Sequence, residues 1–125
     1  MQKKGRKQRD IKFYSQKNDC IVIVHSEREQ VYAQKLEDDF DVAGYTYGKS
    51  LEPAIVDRIQ HVKIRKAFLE ENWLTDFYII SRTGTISVRE MTSTNALAKL
   101  AEVEKLELSR RYWQFLGITD WKVVI

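Results

Sequence analysis

The fold of this chain is decided by the stretch Thr75-Asp76-Phe77-Tyr78-Ile79-Ile80-Ser81-Arg82-Thr83-Gly84-Thr85-Ile86-Ser87-Val88-Arg89-Glu90-Met91-Thr92. Two runs of β-branched and aromatic residues flank a polar turn that contains Gly84, so the pattern predicts an antiparallel hairpin. Asp76 lies near the start of the first strand and Glu90 near the end of the second. Because Mg²⁺ prefers oxygen ligands, two such carboxylates can share one divalent ion. The stretch therefore predicts a metal site of the kind that a metal-dependent nuclease uses.

Side chains alternate along a strand, so Glu90 and Thr92 are expected on one face and Arg89 and Met91 on the other. A restriction-enzyme-like site carries two acids on the metal and a lysine two residues after the second acid. The metal activates water, and the lysine adds a fixed positive charge beside the phosphate. At this spacing the chain has Thr92.

The segment before the hairpin predicts two short strands and one helix. The strands are expected over 11–14 and 20–24, on either side of a polar turn. Ser26 and Glu29 have the spacing of a capping box. The helix that follows is expected to bury the stripe Tyr32, Leu36 and Phe40 and to end at Gly44. We expect loop with at most one short strand over 45–60, and one buried and one basic face, with Lys63 and Arg65, over 62–65.

The segment after the hairpin predicts a long helix and a last strand. Ser93-Thr94-Asn95 can cap a helix over about 96–116, and Gly117 ends it. Its apolar face would carry Leu97, Ala101, Leu108, Tyr112 and Phe115, with Glu104 inserted. Because a helix crossover leads to it, the strand over 121–125 is expected to be buried and parallel to the strand over 86–91. The fold class is α/β, a mixed sheet flanked by helices.

The amino-acid composition limits the classes of protein to which the chain can belong. The 125 residues are 43% hydrophobic and suffice for one packed domain. The single cysteine, Cys20, allows no internal disulfide, and no Cys/His cluster indicates zinc, so a cytoplasmic setting is expected. No apolar run is long enough to span a membrane.

Positive charge is concentrated at the start of the chain, although the net charge is only +3. We assign residues 1–13 to a basic N-terminal arm and residues 14–125 to the catalytic domain. Such an arm suits contact with the phosphate backbone of DNA, or it is a solvated terminus that aids solubility. Its candidate DNA-binding residues are Lys3, Lys4, Arg6, Lys7 and Arg9. Lys63 and Arg65, on the basic face of 62–65, are the other candidates for binding DNA phosphates.

Three segments of the chain match a known protein family over more than the isolated acids. They are Thr75-Asp76-Phe77, Glu104-Lys105-Leu106-Glu107-Leu108 and Arg110-Arg111-Tyr112-Trp113-Gln114, supported by Tyr14-Ser15, Ser26-x-x-Glu29 and His61-x-x-Ile64-Arg65. From Tyr14 to Ile125 the chain closely resembles the N-terminal catalytic domain of TnsA-type proteins, the endonuclease subunits of heteromeric transposases. The resemblance implies a restriction-endonuclease-like core of the PD-(D/E)xK superfamily. It also implies Mg²⁺, which Mn²⁺ can replace, and cleavage of the 5′ non-transferred strands at transposon ends. The implied partners are DNA, a DDE transposase and an ATP-dependent regulator. The family's C-terminal domain, which docks the regulator, is expected to be absent.

The resemblance also implies the site residues. The helix acid of the family falls on Glu29, the first metal acid on Asp76 and the second on Glu90, with the backbone carbonyl of Met91 as a further metal ligand. The family's lysine falls on Thr92. A hydroxyl can hold a water but supplies no positive charge, so the substitutes to consider are Lys99, Lys63 and Arg65.

Each of these residues also has a structural interpretation. Glu29 can serve the capping box alone, with Glu27 as the fallback acid. Glu90 can pair with Lys99 or Arg65 on the surface, and Glu104 can pair with Arg110, Arg111 or Lys63. Two functions therefore remain open: a metal-dependent DNA endonuclease, or a catalytically impaired DNA-binding or assembly subunit with the same fold.

Overall fold

The computed structural model describes residues 1–5 and 9–125, which form a mixed α/β fold. Within these residues, the strands are β1 (Gln2–Lys3), β2 (Ile11–Ser15), β3 (Cys20–Val24), β4 (Val42–Ser50), β5 (Trp73–Ser81), β6 (Ile86–Met91) and β7 (Asp120–Val124). The helices are α1 (Glu27–Asp38), α2 (Pro53–Val56), α3 (Lys66–Glu70), α4 (Thr94–Leu97) and α5 (Leu100–Phe115).

Strand β5 is the centre of a five-stranded mixed sheet. It pairs antiparallel with β4 along one edge and with β6 along the other, and β7 lies parallel to β6. Leu74 pairs with Ser50 of β4 and with Gln2 of β1, so β1 lies on the same side of β5 as β6 does. Strands β2 and β3 form a separate hairpin. The hairpin of β5 and β6 and the parallel β7 are confirmed as predicted.

Two hydrophobic clusters pack against the two faces of the five-stranded sheet. One cluster joins α1 and the β2–β3 hairpin to the sheet through Val24, Leu36 and Phe77. The other joins α2, α3 and α5 through Phe68, Leu108 and Trp113. Tyr112 is buried, as the helical spacing predicted, and Trp113 is buried beside it.

The side chains of β5 change faces at Asp76. Phe77 and Ile79 belong to the α1 cluster, whereas Trp73 belongs to the α5 cluster. Residues an even number apart share a face of a regular strand, so the strand is locally irregular between them. Asp76 lies opposite Gly48, which has a φ of +78°, a value that glycine adopts without strain. Asp76 is also the first residue of β5 beyond its pairing with β6, which ends at Phe77.

Helix α1 begins as predicted and ends earlier. The Ser26 hydroxyl accepts a hydrogen bond from the amide of Glu29 at 3.2 Å. The helix ends at Asp38, so Phe40 is 72% exposed instead of completing the buried stripe, and Gly44 lies inside β4. The apolar residues around Gly44 suit either a helix end or a strand, and their pairing with β5 decides for the strand.

The segment 45–65 was predicted only in part. The end of β4 and the short helix α2 lie in the region expected to be loop with at most one short strand, so the strand was allowed for and the helix was missed. No strand forms over 62–65 in the described chain: Lys63 has a φ of +62°, Val62 is exposed and Ile64 is buried. Val62 and Ile64 therefore do not share a buried face.

The predicted long helix is two helices. Ser93 caps α4 by accepting from the amide of Ala96 at 3.1 Å, as expected. Lys99 then adopts an extended backbone (ψ 130°) and α5 begins at Leu100. Residues 98–99 include no glycine or proline that would indicate this break. The spacing of apolar residues therefore predicted one continuous helix. Phe115 is 44% exposed, and β7 is a half-buried edge strand, not a buried one.

Glu37 fastens the β2–β3 hairpin to the rest of the domain. Its carboxylate accepts from the hydroxyls of Ser15 and Tyr45, both at 2.6 Å, and from the amide of Lys17 at 3.3 Å. Burial by itself opposes the charge, but these donors outweigh it and lower the pKa of Glu37 below its ordinary 4.5.

Replacing Glu37 by glutamine is expected to lower the free energy of unfolding at pH 7 by about 1–3 kcal/mol, because the donors lose a charged acceptor. Since the folded-state pKa is lowered, the stabilisation is present above pH 4.5 and is lost as the pH falls through the folded value. Urea denaturation at pH 7 and at successively lower pH measures it. The exposed Glu70→Gln variant is the control, and a difference between wild type and Glu37→Gln that does not shrink on acidification would contradict this account.

Candidate metal centre

Asp76 and Glu90 meet where β5 and β6 separate. The last paired residues of the two strands are Phe77 and Arg89, and Asp76 and Glu90 are the next residues on each strand. Both carboxylates are buried, with Asp76 3% and Glu90 0% exposed. The hairpin thus brings its two acids into one enclosed site.

Asp76 is held by its neighbour strand and by the start of the chain. Its Oδ2 accepts from the amide of Met91 at 2.8 Å and from the α-ammonium of Met1 at 2.8 Å. Its Oδ1 accepts from the side-chain amide of Gln2 at 3.1 Å. The Asp76 carboxylate is therefore oriented by β6 on one side and by β1 on the other.

Glu90 is held by two hydroxyls and one amide. Its Oε2 accepts from Thr75 Oγ1 at 2.8 Å and from Ser109 Oγ at 2.5 Å, while its Oε1 accepts from the amide of Asp76 at 3.0 Å. Oε1 also lies 3.0 Å from the α-ammonium of Met1. One oxygen of Glu90 is thus directed to the protein interior and the other to the space shared with Asp76.

Each hydroxyl that binds Glu90 is itself positioned by a tryptophan. Trp113 Nε1 donates to Thr75 Oγ1 at 2.7 Å, and Trp121 Nε1 donates to Ser109 Oγ at 2.9 Å. A hydroxyl that accepts from an indole keeps its own proton free to donate. The two indoles therefore direct both protons to Glu90 and fix its orientation.

Among the described residues, the α-ammonium of Met1 is the positive group that bridges the two carboxylates. Burial opposes the charge of the Met1 ammonium, but the charges of Glu90 and Asp76 outweigh burial and raise the pKa of this amine to about 11. Burial likewise raises the pKa of Glu90, and the Met1 ammonium opposes that rise. The site therefore favours a cation between its two acids.

The donor set fits a hard divalent cation. One oxygen of each acid lies within 3.0 Å of the same cationic nitrogen, so the ammonium stands where a shared metal ion would bind. No cluster of three or more His, Cys, Asp or Glu side chains suited to a metal occurs in residues 1–5 and 9–125. The remaining ligands would have to be backbone oxygens, substrate oxygens or water, which is how Mg²⁺ is commonly held.

Glu29 approaches this site through Tyr47. Its Oε2 accepts from the Tyr47 hydroxyl at 2.5 Å, and its Oε1 accepts from Ser26 Oγ at 2.8 Å. Burial, then the hydrogen bond to Glu29 and the charges of Glu29 and Asp76, raise the pKa of the Tyr47 hydroxyl. Glu29 therefore serves its helix cap and holds the Tyr47 hydroxyl, and within residues 1–5 and 9–125 it does not join Asp76 and Glu90 in a metal-binding cluster.

The Thr92 hydroxyl is hydrogen-bonded to an acid outside the candidate metal centre. Its hydroxyl donates to Glu102 Oε2 at 2.8 Å, and its amide donates to the carbonyl of Val124 at 2.9 Å. Lys99 is exposed at the junction of α4 and α5. At the position where the motif has a lysine, the chain thus holds a hydroxyl bound to a carboxylate.

The candidate DNA-binding residues are dispersed. Lys63 is exposed, whereas Arg65 is bound to Glu104, with Nη2 2.5 Å from Oε2. Glu104 therefore does form a structural pair, but with Arg65 and not with Arg110, Arg111 or Lys63. Lys4 is exposed, Lys3 lies 3.4 Å from Glu71, and Arg9 lies 3.9 Å from Glu27. Arg6 and Lys7 lie outside the described residues.

Sequence reasoning missed four residues of the site: Met1, Gln2, Thr75 and Ser109. Thr75 and Ser109 are polar residues fully buried among apolar neighbours, and such burial usually indicates a specific hydrogen-bonding role. Ser109 follows Leu108 on the buried face of α5, which was the available signal. Nothing in the sequence pattern places Met1 and Gln2 next to Asp76, which is 75 and 74 positions away from them.

No protein-family model matches this chain, and no curated protein sequence matches it. Within the described part of the chain, no helix is long and apolar enough to cross a membrane. The geometry of the two acids is therefore the basis on which a function can be assigned.

Proposed function

We propose that this protein is a metal-dependent DNA endonuclease subunit resembling TnsA, with a restriction-endonuclease-like core. The observation that carries the proposal is the convergence of Asp76 and Glu90 on a single cationic nitrogen where β5 and β6 separate. The sheet is compatible with it, because β5, β6, the α5 crossover and the parallel β7 follow the order that the sequence pattern predicted.

Asp76 Oδ2 and Glu90 Oε1 would hold Mg²⁺, and the backbone carbonyl of Met91 is a further candidate ligand. When bound, the ion would lower the pKa of a water and stabilise negative charge on the phosphate. Thr75 and Ser109 keep Glu90 oriented, and the amide of Met91 does the same for Asp76. Fixed ligands of this kind lower the cost of reorganisation during phosphodiester hydrolysis.

The proposed substrate is the 5′ strand at a transposon end, in an assembly with a DDE transposase and an ATP-dependent regulator. Lys3, Lys4, Arg9 and Lys63 offer exposed positive charge for phosphates, and Arg6 and Lys7 belong to the same basic arm. Arg65 is less suited than predicted, since Glu104 neutralises it. A cytoplasmic location is part of this proposal.

A second candidate function is a DNA-binding or assembly subunit that has lost cleavage. The observation that favours it is the hydrogen bond from Thr92 to Glu102, which places a negative group at the position of the motif lysine. A carboxylate there would repel the scissile phosphate instead of stabilising it.

Nicking of supercoiled DNA separates the two functions. The endonuclease is expected to nick plasmid in Mg²⁺ or Mn²⁺, and EDTA is expected to abolish the reaction. Since subunits of this kind can depend on their transposase, a second assay uses oligonucleotide duplexes that carry a transposon end, together with the partner protein. DNA binding without cleavage in both assays would favour the second function.

Replacing Thr92 by lysine is expected to raise the rate of cleavage by roughly tenfold or more, because the new ammonium supplies the missing charge beside the phosphate. Glu102 would pair with that ammonium, so Thr92→Lys combined with Glu102→Gln is expected to be faster still. Single-turnover nicking measures both rates. Thr92→Met, similar in length to lysine but uncharged, is the control; equal rates for Thr92→Lys and Thr92→Met would argue against an otherwise complete site.

A further inference from the structure

Strand β1 covers the two acids of the candidate metal centre. It pairs with β5 at Trp73 and Leu74, in the gap left where β6 leaves β5. The carboxylates beneath it are almost fully buried, although a metal ion and a DNA phosphate would both have to reach them. The site is therefore closed in this arrangement of the chain.

The contacts of β1 imitate those of a bound ion. The Met1 ammonium lies 2.8 Å from Asp76 Oδ2 and 3.0 Å from Glu90 Oε1, and Gln2 donates to the other oxygen of Asp76. The two ammonium contacts use the oxygen of each acid that faces the shared space. A divalent ion and the Met1 ammonium cannot occupy the same position together.

The attachment of β1 is small. The strand has two residues, and the amide of Lys4 adds one further backbone hydrogen bond, to the carbonyl of Asn72 at 2.8 Å. The side chains of Lys3 and Lys4 are exposed, and the ion pair of Lys3 with Glu71 lies on the surface. Exposed ion pairs and single hydrogen bonds contribute little, so these residues are held mainly by Met1, whose buried ammonium binds Asp76 and Glu90 and whose side chain packs against the α5 cluster. A divalent ion in the place of the ammonium would therefore remove the strongest contact of the segment.

We propose that residues 1–4 are an autoinhibitory cover whose ammonium competes with the divalent metal ion for Asp76 and Glu90. This proposal rests on the proposed function, since it concerns regulation of the same site. The apparent affinity for metal is then lower than that of the open site by the fraction of molecules in which β1 is displaced. Binding of metal and release of β1 become one equilibrium.

Lys4→Pro tests the cover in the full chain, because proline removes the amide that donates to Asn72. Lys4→Ala is the matched control, since it loses the same charge and keeps the amide. Loss of one hydrogen bond should open the cover and tighten the binding of Mn²⁺ by roughly threefold to tenfold, measured by isothermal titration calorimetry. Asp76→Asn, expected to lose Mn²⁺ binding, verifies the site, and mass spectrometry verifies a free α-amine.

Acylation of the Met1 amine, followed by mass spectrometry of the N-terminal peptide, gives an independent readout. Labelling is expected to be slow in the metal-free protein and to accelerate in Lys4→Pro, and also in the unaltered protein when Mn²⁺ saturates it. Equal Mn²⁺ affinity of Lys4→Pro and Lys4→Ala, or labelling that bound Mn²⁺ does not change, would overturn the cover and leave the metal site standing. Failure of every variant to bind Mn²⁺ would overturn the metal site and the cover together.

Discussion

Asp76→Asn is expected to reduce metal-dependent DNA cleavage by roughly 10²–10³-fold, the size of effect that follows removal of one preorganised electrostatic group from an active site. Asparagine keeps the shape of the side chain and removes the negative charge. Asp76 shares a cation with Glu90 in this structure, so Glu90 alone would retain the metal only weakly. Single-turnover nicking over a range of Mg²⁺ concentrations measures the loss.

The control for Asp76→Asn is Asp38→Asn, which neutralises an exposed acid at the end of α1. Thermal unfolding of both variants checks that the domain remains folded. Cleavage by Asp76→Asn at the rate of Asp38→Asn would refute the assignment of Asp76 to the metal. A loss that high Mn²⁺ restores would indicate weakened metal binding, in agreement with the proposed role.

Phe77→Ala is expected to lower the free energy of unfolding by about 3–5 kcal/mol, the usual cost of removing a fully buried aromatic side chain. Phe77 is 0% exposed, and its ring lies 5.0 Å from the ring of Tyr32 and 5.2 Å from that of Tyr47. The substitution would leave a cavity between α1 and the sheet, next to Asp76. Chemical denaturation measures the change.

Phe115→Ala is the comparison for Phe77→Ala. Phe115 is 44% exposed at the end of α5 and contacts Arg58 through its ring, so its loss should cost below about 1 kcal/mol. Equal costs at the two positions would contradict the burial described for α5. Tyr47 packs against the Phe77 ring and donates a hydrogen bond to Glu29. Phe77→Ala is therefore also expected to slow cleavage, because Tyr47 and with it Glu29 would be displaced.

Local pattern alone determined a large part of this protein. The β5–β6 hairpin follows from the strand-forming residues on either side of Gly84. The N-terminal cap of α1 follows from Ser26, which lies three residues before the amide of Glu29 that it accepts from. The parallel direction of β7 follows from the helix that precedes it. Asp76 and Glu90 could be placed together from the sequence because hairpin pairing relates nearby positions. Each of these features is encoded within a few residues or by one short connection.

Tertiary structure decided the features that depend on distant partners. Strand β4 forms where the sequence looks like loop, because β5 supplies its hydrogen bonds, and Arg65 pairs with a glutamate 39 residues away. The sequence by itself thus determined that two acids share one end of a hairpin. Only the folded chain decided what lies between them, since β1 reaches that position through pairing with β5 across more than 70 residues.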